Sequence, residues 1–394
     1  MRPALRQSDP RETAETLFGA ELRARRKAAG LSLRQLAPHV LVSHDLLWRI
    51  ETAQRRPHPD LVDRLDRALD ARGQLNRLAA PFTDIVLQPQ DISLEPDLVG
   101  PSLRDLITEV RMADHTMAAK RLPEVVAQAK MAEKFVSRVN ESQRAQLLRN
   151  IAEAHQLAGW MLFDRGSVSL AENAFANARR TAERIGAMDL IAFVGGPNAA
   201  FMSTWSGDPA QGAERAYGAM SWARRSGNRR LAAFVATIAA RAHARMDEAN
   251  LCTKMLVEAE TELSRHQPQE PDPVWLDVFD DAALAGHRGS CLLDLGQPRH
   301  AVESLREQDS ASPVAFLRNR TIWQLEQAEA QLRMGEDEAA AAAVNHAMDA
   351  VTASSITPRV ARMFRSILLK LRASGDHAVT PTADRLEVFI GACV

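Results

Sequence analysis

One residue spacing recurs down most of the chain, and it constrains the fold more than any single motif. Gly159, Gly166, Ala171, Phe175 and Ala178 form one unit, the last three at +5, +9 and +12 from Gly166. Gly289, Gly296, Ala301 and Leu305 keep these offsets, as do Ala328, Gly335, Ala340, Val344 and Ala347. Looser copies run through Ala200, Gly207, Ala216 and Ala219, and through Ala240, Asp247, Cys252, Leu256 and Ala259. A small residue on one helix lets a second pack closely against it. A glycine closes the turn between the two, and the alanine after it lets the next unit approach. Turn positions near 166, 207 and 247 give a period of about forty residues. Few β-branched runs interrupt this helix-forming sequence, so the expected class is all-α. At 394 residues the chain is too long for one simple core.

The repeated unit resembles the tetratricopeptide repeat, with longer helices or loops than usual. The resemblance implies an α-solenoid of helical hairpins whose concave wall is lined by the first helix of each pair. In that register Gln156, Trp160 and Phe163 lie on the wall in one unit, and Asn198, Phe201 and Trp205 in the next. Arg241 and Arg245 follow, then His287 and Ser290. Aromatic residues make up only 5% of the chain. Two tryptophans and two phenylalanines on one wall therefore read as an effector groove, although tryptophans at helical spacing also fit a core. GGPN at 195–198 reads as a helix boundary, with Pro197 opening the next helix. PQEPDP at 268–273 reads as a loop interrupting the array.

Charge separates the first 80 residues from the rest. They hold 15 Lys+Arg against 10 Asp+Glu, and the remainder holds 34 against 40, within a net charge of -1. A basic head on an acidic body suits a polyanion-binding module, although Arg-rich chains reach such a difference by chance. Within the head, LFGAELRARRKAAG (17–30) reads as a basic helix around Leu22, stopped by Gly30. Ser32 caps a second helix with Leu33, Leu36, Ala37 and Val40 on its apolar face. A short turn at Leu41–Val42 leads to a second cap, Ser43. The helix after it, HDLLWRIE, buries Leu47 and Ile50 but also carries His44, Asp45, Trp48 and Arg49. Those are too many polar groups for a core segment, and a solvated face would not carry a tryptophan. Pro57 and Pro59 open a further helix with Leu61, Leu65 and Leu69 four apart. Two short helices joined by a tight turn, among about five in 65 residues, follow the helix-turn-helix plan.

Gly30-Leu31-Ser32, Leu36-Ala37, Val42-Ser43, Ile50-Glu51 and Arg55-Arg56-Pro57 together resemble the XRE (Cro/C1-type) DNA-binding domain, over roughly residues 17–78. The resemblance implies that the polar side of the third helix enters the major groove of a double-stranded DNA operator. Ser43, His44 and Asp45 would reach base edges, with Trp48 and Arg49 one turn on. Arg49 would read guanine in bidentate fashion, worth about 1–3 kcal/mol of discrimination. Arg34, Arg55 and Arg56 would touch phosphates, which orient without specifying. Asp45 either accepts from a cytosine amino group or ties back a neighbouring side chain. Glu51 would form a structural ion pair with Arg26, since a carboxylate facing DNA is repelled. Three positions depart from the family pattern: Leu41 in the turn, Ala53 where glycine commonly ends the recognition helix, and Leu33 where a polar residue often begins helix two.

Pro81, Pro89, Pro96 and Pro101 place the linker across residues 81–101, between a head at 17–80 and a body at 102–394. No phosphate loop, dinucleotide fingerprint, HExxH or nucleophile elbow is present, so no enzymatic activity and no cofactor are expected. His243 and His287 lack companions at ligand spacing, and Cys252, Cys291 and Cys393 are scattered and odd in number, so neither a metal site nor a disulfide framework is expected. Glu326 and Glu329 share a helix face and read as a solvated surface. The polar first twenty residues and the longest apolar run, AAFVATIAA at 232–240, give neither a signal peptide nor a membrane span; a soluble cytoplasmic protein is expected.

The whole plan is similar to peptide-sensing regulators of the RRNPP type and to the XRE–tetratricopeptide regulators of actinobacteria. It implies a homodimeric transcriptional regulator on a two-fold-symmetric operator, with a body that dimerises and binds a peptide or small-molecule effector. The alternative is a protein-interaction scaffold whose DNA contact is secondary or degenerate.

Overall fold

Ser32 and Ser43 start the two short helices of the head as N-caps, because each side chain accepts a backbone N–H that the first helical turn leaves without a partner. The computed structural model describes residues 10–40, 42–55, 57, 59–71, 73–83, 96–115, 121–267, 272–311, 316–351 and 356–392. It divides into two compact units, Met1–Ser93 and Leu94–Val394. No strand occurs among the described residues, and no helix among them is long and apolar enough to cross a membrane.

The first unit contains α1 (Pro10–Ala28), α2 (Leu33–His39), α3 (His44–Glu51), α4 (Pro59–Ala68) and α5 (Gln74–Thr83). Phe18 and Leu22 of α1, Leu36 of α2, Leu47 and Ile50 of α3, Leu61 and Leu65 of α4 and Leu75 of α5 close one core. Each such side chain contributes about 1.5–3 kcal/mol by leaving water. Gly19 is where α1 meets the end of α3: a Cβ there would sit 2.8 Å from the carbonyl oxygens of both Ile50 and Glu51. Asp66 accepts from the backbone N–H of Gly73 (2.7 Å) and Leu75 (2.9 Å), which ties the α4–α5 turn.

The second unit begins inside the expected linker. There α6 runs from Pro96 to His115 straight through Pro101, and α5 extends to Thr83, so helix occupies both ends of the expected linker at 81–101; residues 84–95 lie outside the described residues. A proline disfavours helix at the residue before it without forbidding it, and Pro101 is tolerated here.

Then come α7 (Leu122–Phe135), α8 (Glu141–Asp164), α9 (Val168–Arg184) and α10 (Met188–Phe193). A π-helical segment (Val194–Ala200) leads into α11 (Phe201–Trp205), α12 (Pro209–Ser226), α13 (Arg229–Arg245) and α14 (Ala249–Ser264). A 3-10 turn (Val274–Leu276) precedes α15 (Asp281–Asp294), α16 (Pro298–Ala311), α17 (Leu317–Met334), α18 (Asp337–Ala350), α19 (Pro358–Ser374) and α20 (Thr380–Gly391). Residues 268–271 of the expected PQEPDP loop lie outside the described residues.

The recurring spacing builds the hairpins α8–α9, α13–α14, α15–α16 and α17–α18. A Cβ on Gly159 would lie 2.5 Å from the Phe175 ring, and one on Gly289 would lie 2.6 Å from Leu305 Cγ. The residue at +9 is thus seated on the first glycine of its own unit. Asp247 holds the turn position at φ +60°, strained for a residue with a Cβ, where Gly166 sits at +83° without strain. Ala171, Ala301 and Ala340, at +5, are fully buried.

The GGPN segment corrects the expected helix boundary. The chain stays helical through it, widening into the π segment with Pro197 inside. Pro197 lacks an N–H, and a wider turn accommodates that loss without ending the helix. Gly196 is held close to α13, where a Cβ would meet Val235 Cγ2 at 2.9 Å.

Candidate ligand cavity and nucleic-acid interface

In the second unit, the inner helices line a cavity of about 90 Å³. That is room for several waters or a small organic group. Eight of the ten side chains expected on the concave wall line it: Gln156, Trp160, Asn198, Phe201, Trp205, Arg241, His287 and Ser290. Two expected residues do not. Phe163 is buried behind the wall, edge-on to Trp160 and Phe201. Arg245, one turn beyond Arg241, is exposed and pairs with Asp294 at 3.3 Å.

A register unites the lining. Counting back nine residues from the turn positions 166, 207, 247, 296 and 335 gives Leu157, Asn198, Ile238, His287 and Glu326, and all five face the cavity. Counting back six gives Trp160, Phe201, Arg241 and Ser290, which face it too. Glu326 therefore corrects the expectation of a solvated carboxylate pair. It accepts a hydrogen bond from Ser290 Oγ, and burial pushes its carboxyl up despite the charge of Arg241. Glu329, one turn on, instead pairs with Arg333 and Lys370, both at 2.6 Å.

Much of the lining lies at positions the sequence register did not name. From outside the repeats, Arg111, Asp114 and His115 enter from α6, Trp275 from the 3-10 turn and Arg359 from α19; Arg318 and Trp323 come from the first half of α17. Arg318 Nη1 reaches Asp114 (2.8 Å) and Asp164 (2.9 Å), and Arg359 Nε donates to the other oxygen of Asp164 at 2.6 Å. Both guanidiniums lie against the Trp160 ring, at 5.3 and 5.4 Å from its centre. Arg111 donates to Gln156 at 3.2 Å, and Gln156 donates to Asn198 at 2.6 Å. His115 meets Asp277 at 3.2 Å.

Arg241 differs from the other arginines. Its Nη2 lies 3.8 Å from Glu326 and 3.9 Å from Asp294, while its Nε and Nη1 have no hydrogen-bond partner among the described residues. Burial, with the charge of Arg241 added, pushes His287 down to about 3, so its imidazole is neutral at physiological pH. The thiols of Cys252 and Cys291, 39 positions apart in sequence, are both free and buried, and burial pushes Cys291 up; Cys393 lies outside the described residues.

In the first unit, the face of α3 away from the core carries His44, Asp45, Trp48 and Arg49, all exposed, and Trp48 is 46% exposed although the largest apolar side chain there. The helix is fixed from behind. Glu51 receives both Arg26 Nε (2.6 Å) and Nη2 (2.8 Å), and Arg26 Nη1 donates to the Leu31 carbonyl at 2.8 Å. That fork spans α1, the turn before α2 and the end of α3, and it is nearly buried. Residues 17–78 match the helix-turn-helix domain family. The head is a helix-turn-helix domain.

No curated protein matches the chain. Among solved structures, the crystal structure of Bacillus thuringiensis PlcR in complex with the peptide PapR7 and DNA is similar at 14% identity and a TM-score of 0.34, over 75% of this chain and 94% of that one.

Within the helix-turn-helix domain, Ser43 accepts the Leu46 N–H at 3.2 Å, leaving its own hydroxyl hydrogen to donate outward. Asp45 pairs with Arg49 at 3.0 Å, one of the two alternatives open from sequence. Arg34 and Arg55 are exposed; Arg56 and Leu41 lie outside the described residues. Ala53, at the glycine position after α3, adopts φ +55°.

Proposed function

We propose that the chain is a sequence-specific DNA-binding transcriptional regulator, with its ligand cavity as the effector site. The observation that carries the reading is the helix-turn-helix domain whose second short helix is clamped by Arg26–Glu51 and keeps Trp48, Arg49, His44 and Asp45 exposed. A clamped helix meets a groove with little loss of freedom, and the four side chains match major-groove chemistry. Arg49 releases Asp45 and reads guanine; Arg34, Arg55 and Arg56 hold phosphates. Two copies on a two-fold-symmetric site double the contact, and the body supplies the dimer. An effector in the cavity changes DNA affinity to the extent that it binds the two dimer geometries unequally.

Selection of random-sequence DNA by the full chain tests the reading. The expected outcome is one enriched palindromic motif with half-sites one or more helical turns apart. Recovery of no motif contradicts it.

A further inference from the structure

We infer that the cavity takes a small organic acid: an aromatic or apolar body carrying one carboxylate, with the carboxylate anchored by Arg241. The inference rests on the proposed reading of the cavity as an effector site, and it names the chemical class of that effector.

The hydrogen bonding of the cavity is unfinished. Four guanidiniums face it: Arg111, Arg241, Arg318 and Arg359. Asp114 and Asp164 neutralise Arg318 and Arg359 at hydrogen-bond distance. Asp277 meets His115 and Glu153 pairs with Arg149 at 3.3 Å, while Asp294 gives Oδ1 to Arg245 at 3.3 Å and keeps an Oδ2 without a hydrogen-bond partner 3.9 Å from Arg241. Arg241, only 4% exposed, is left with two donors lacking partners among the described residues and no carboxylate oxygen within hydrogen-bond reach. Its nearest acid, Glu326, gives Oε2 to Ser290 and holds Oε1 3.8 Å from Arg241, so the charge is balanced at a distance while two N–H donors go unmet. A guanidinium stays charged when buried, and donors left there without acceptors are costly. A carboxylate accepts from them in charge-assisted hydrogen bonds, which are roughly twice as strong as those to a neutral acceptor.

The rest of the lining selects the body of that anion. Phe201 and Trp205 stack at 5.9 Å, Trp160 lies 6.0 Å from Phe201, and His287 sits 5.6 Å edge-on to Trp323. These rings line the same cavity as Arg241 and present faces and edges that suit a flat apolar group. His287, neutral, adds no charge of its own. A cation would sit among guanidiniums and is disfavoured. A long peptide exceeds a space of about 90 Å³, which a single small ring beside Arg241 fills.

The test titrates the full chain, without DNA, with phenylacetate, indole-3-acetate and N-acetylphenylalanine, following the quenching of the cavity tryptophans. The matching amides and amines serve as controls. At least one acid is expected to saturate the signal, with its amide and amine at least tenfold weaker. A longer peptide ending in phenylalanine separates a free acid from a chain terminus and is expected to bind worse than N-acetylphenylalanine. Arg241→Gln, checked for folding by its melting transition, is expected to lose at least tenfold for the acid and little for the amide. Failure of every acid, equal binding of amide and acid, or tighter binding of the peptide overturns the inference. The acid series needs no variant, so a misfolded Arg241→Gln leaves it decisive. The same acid added to the chain on its selected DNA site tests the regulatory reading separately: binding without any change in DNA affinity overturns that reading and leaves the ligand class standing.

Discussion

Ala53 shows how a single residue departs from its position. After α3 the chain turns through the left-handed region at φ +55°, which costs a residue with a Cβ about 1 kcal/mol and glycine nothing. Ala53→Gly is therefore expected to raise the stability of the first unit by about 0.5–1 kcal/mol in a denaturant titration, net of the freedom glycine gains when unfolded. His287 carries a larger, pH-dependent effect. Its folded-state pKa, about 3, lies below the ordinary 6.5, so the unfolded chain binds the extra proton first. Its contribution is complete above pH 6.5 and is lost as the pH falls towards 3. At pH 4.5 the loss is about 2–3 kcal/mol. His287→Gln should flatten that part of the stability–pH curve relative to the native chain, and an unchanged slope would mean that the imidazole is solvated.

At the scale of elements, the hairpins were legible because their cause is local. A glycine that seats the side chain sixteen residues later, and a turn residue with positive φ seven residues on, leave marks at fixed offsets. Gly289→Ala should destabilise the second unit by about 1–3 kcal/mol, because its Cβ meets Leu305 on the facing helix. A cost near zero would mean that α15 and α16 stand further apart than described. The same register placed eight lining residues of the cavity and, carried one unit further to Gly335, would have placed Glu326. It could not place Arg111, Trp275 or Arg359. These come from α6, the 3-10 turn and α19, which lie outside the repeat and join the wall only through tertiary packing. The π segment was missed for a related reason. Pro197 and its glycines look like a stop in sequence, while their close fit to α13 keeps the helix running.

For the whole molecule, the question is whether the clamped helix of the head reads sequence or only touches charge. A chain attracted to DNA by its basic head alone would bind every sequence alike and lose affinity steeply with salt. Base readout adds a preference that persists as the electrostatic part weakens. The two classes of arginine separate the contributions. Arg55→Ala should weaken binding to all DNA and reduce the slope of log K against log salt by about 1, whereas Arg49→Ala should relax preference at one base pair at a cost of about 1–3 kcal/mol. The most direct measurement is therefore a salt titration of the full chain on its selected site and on a scrambled duplex of equal length. The prediction is two falling lines separated by a gap of at least about a thousandfold that persists at physiological salt. Lines that coincide throughout would contradict it.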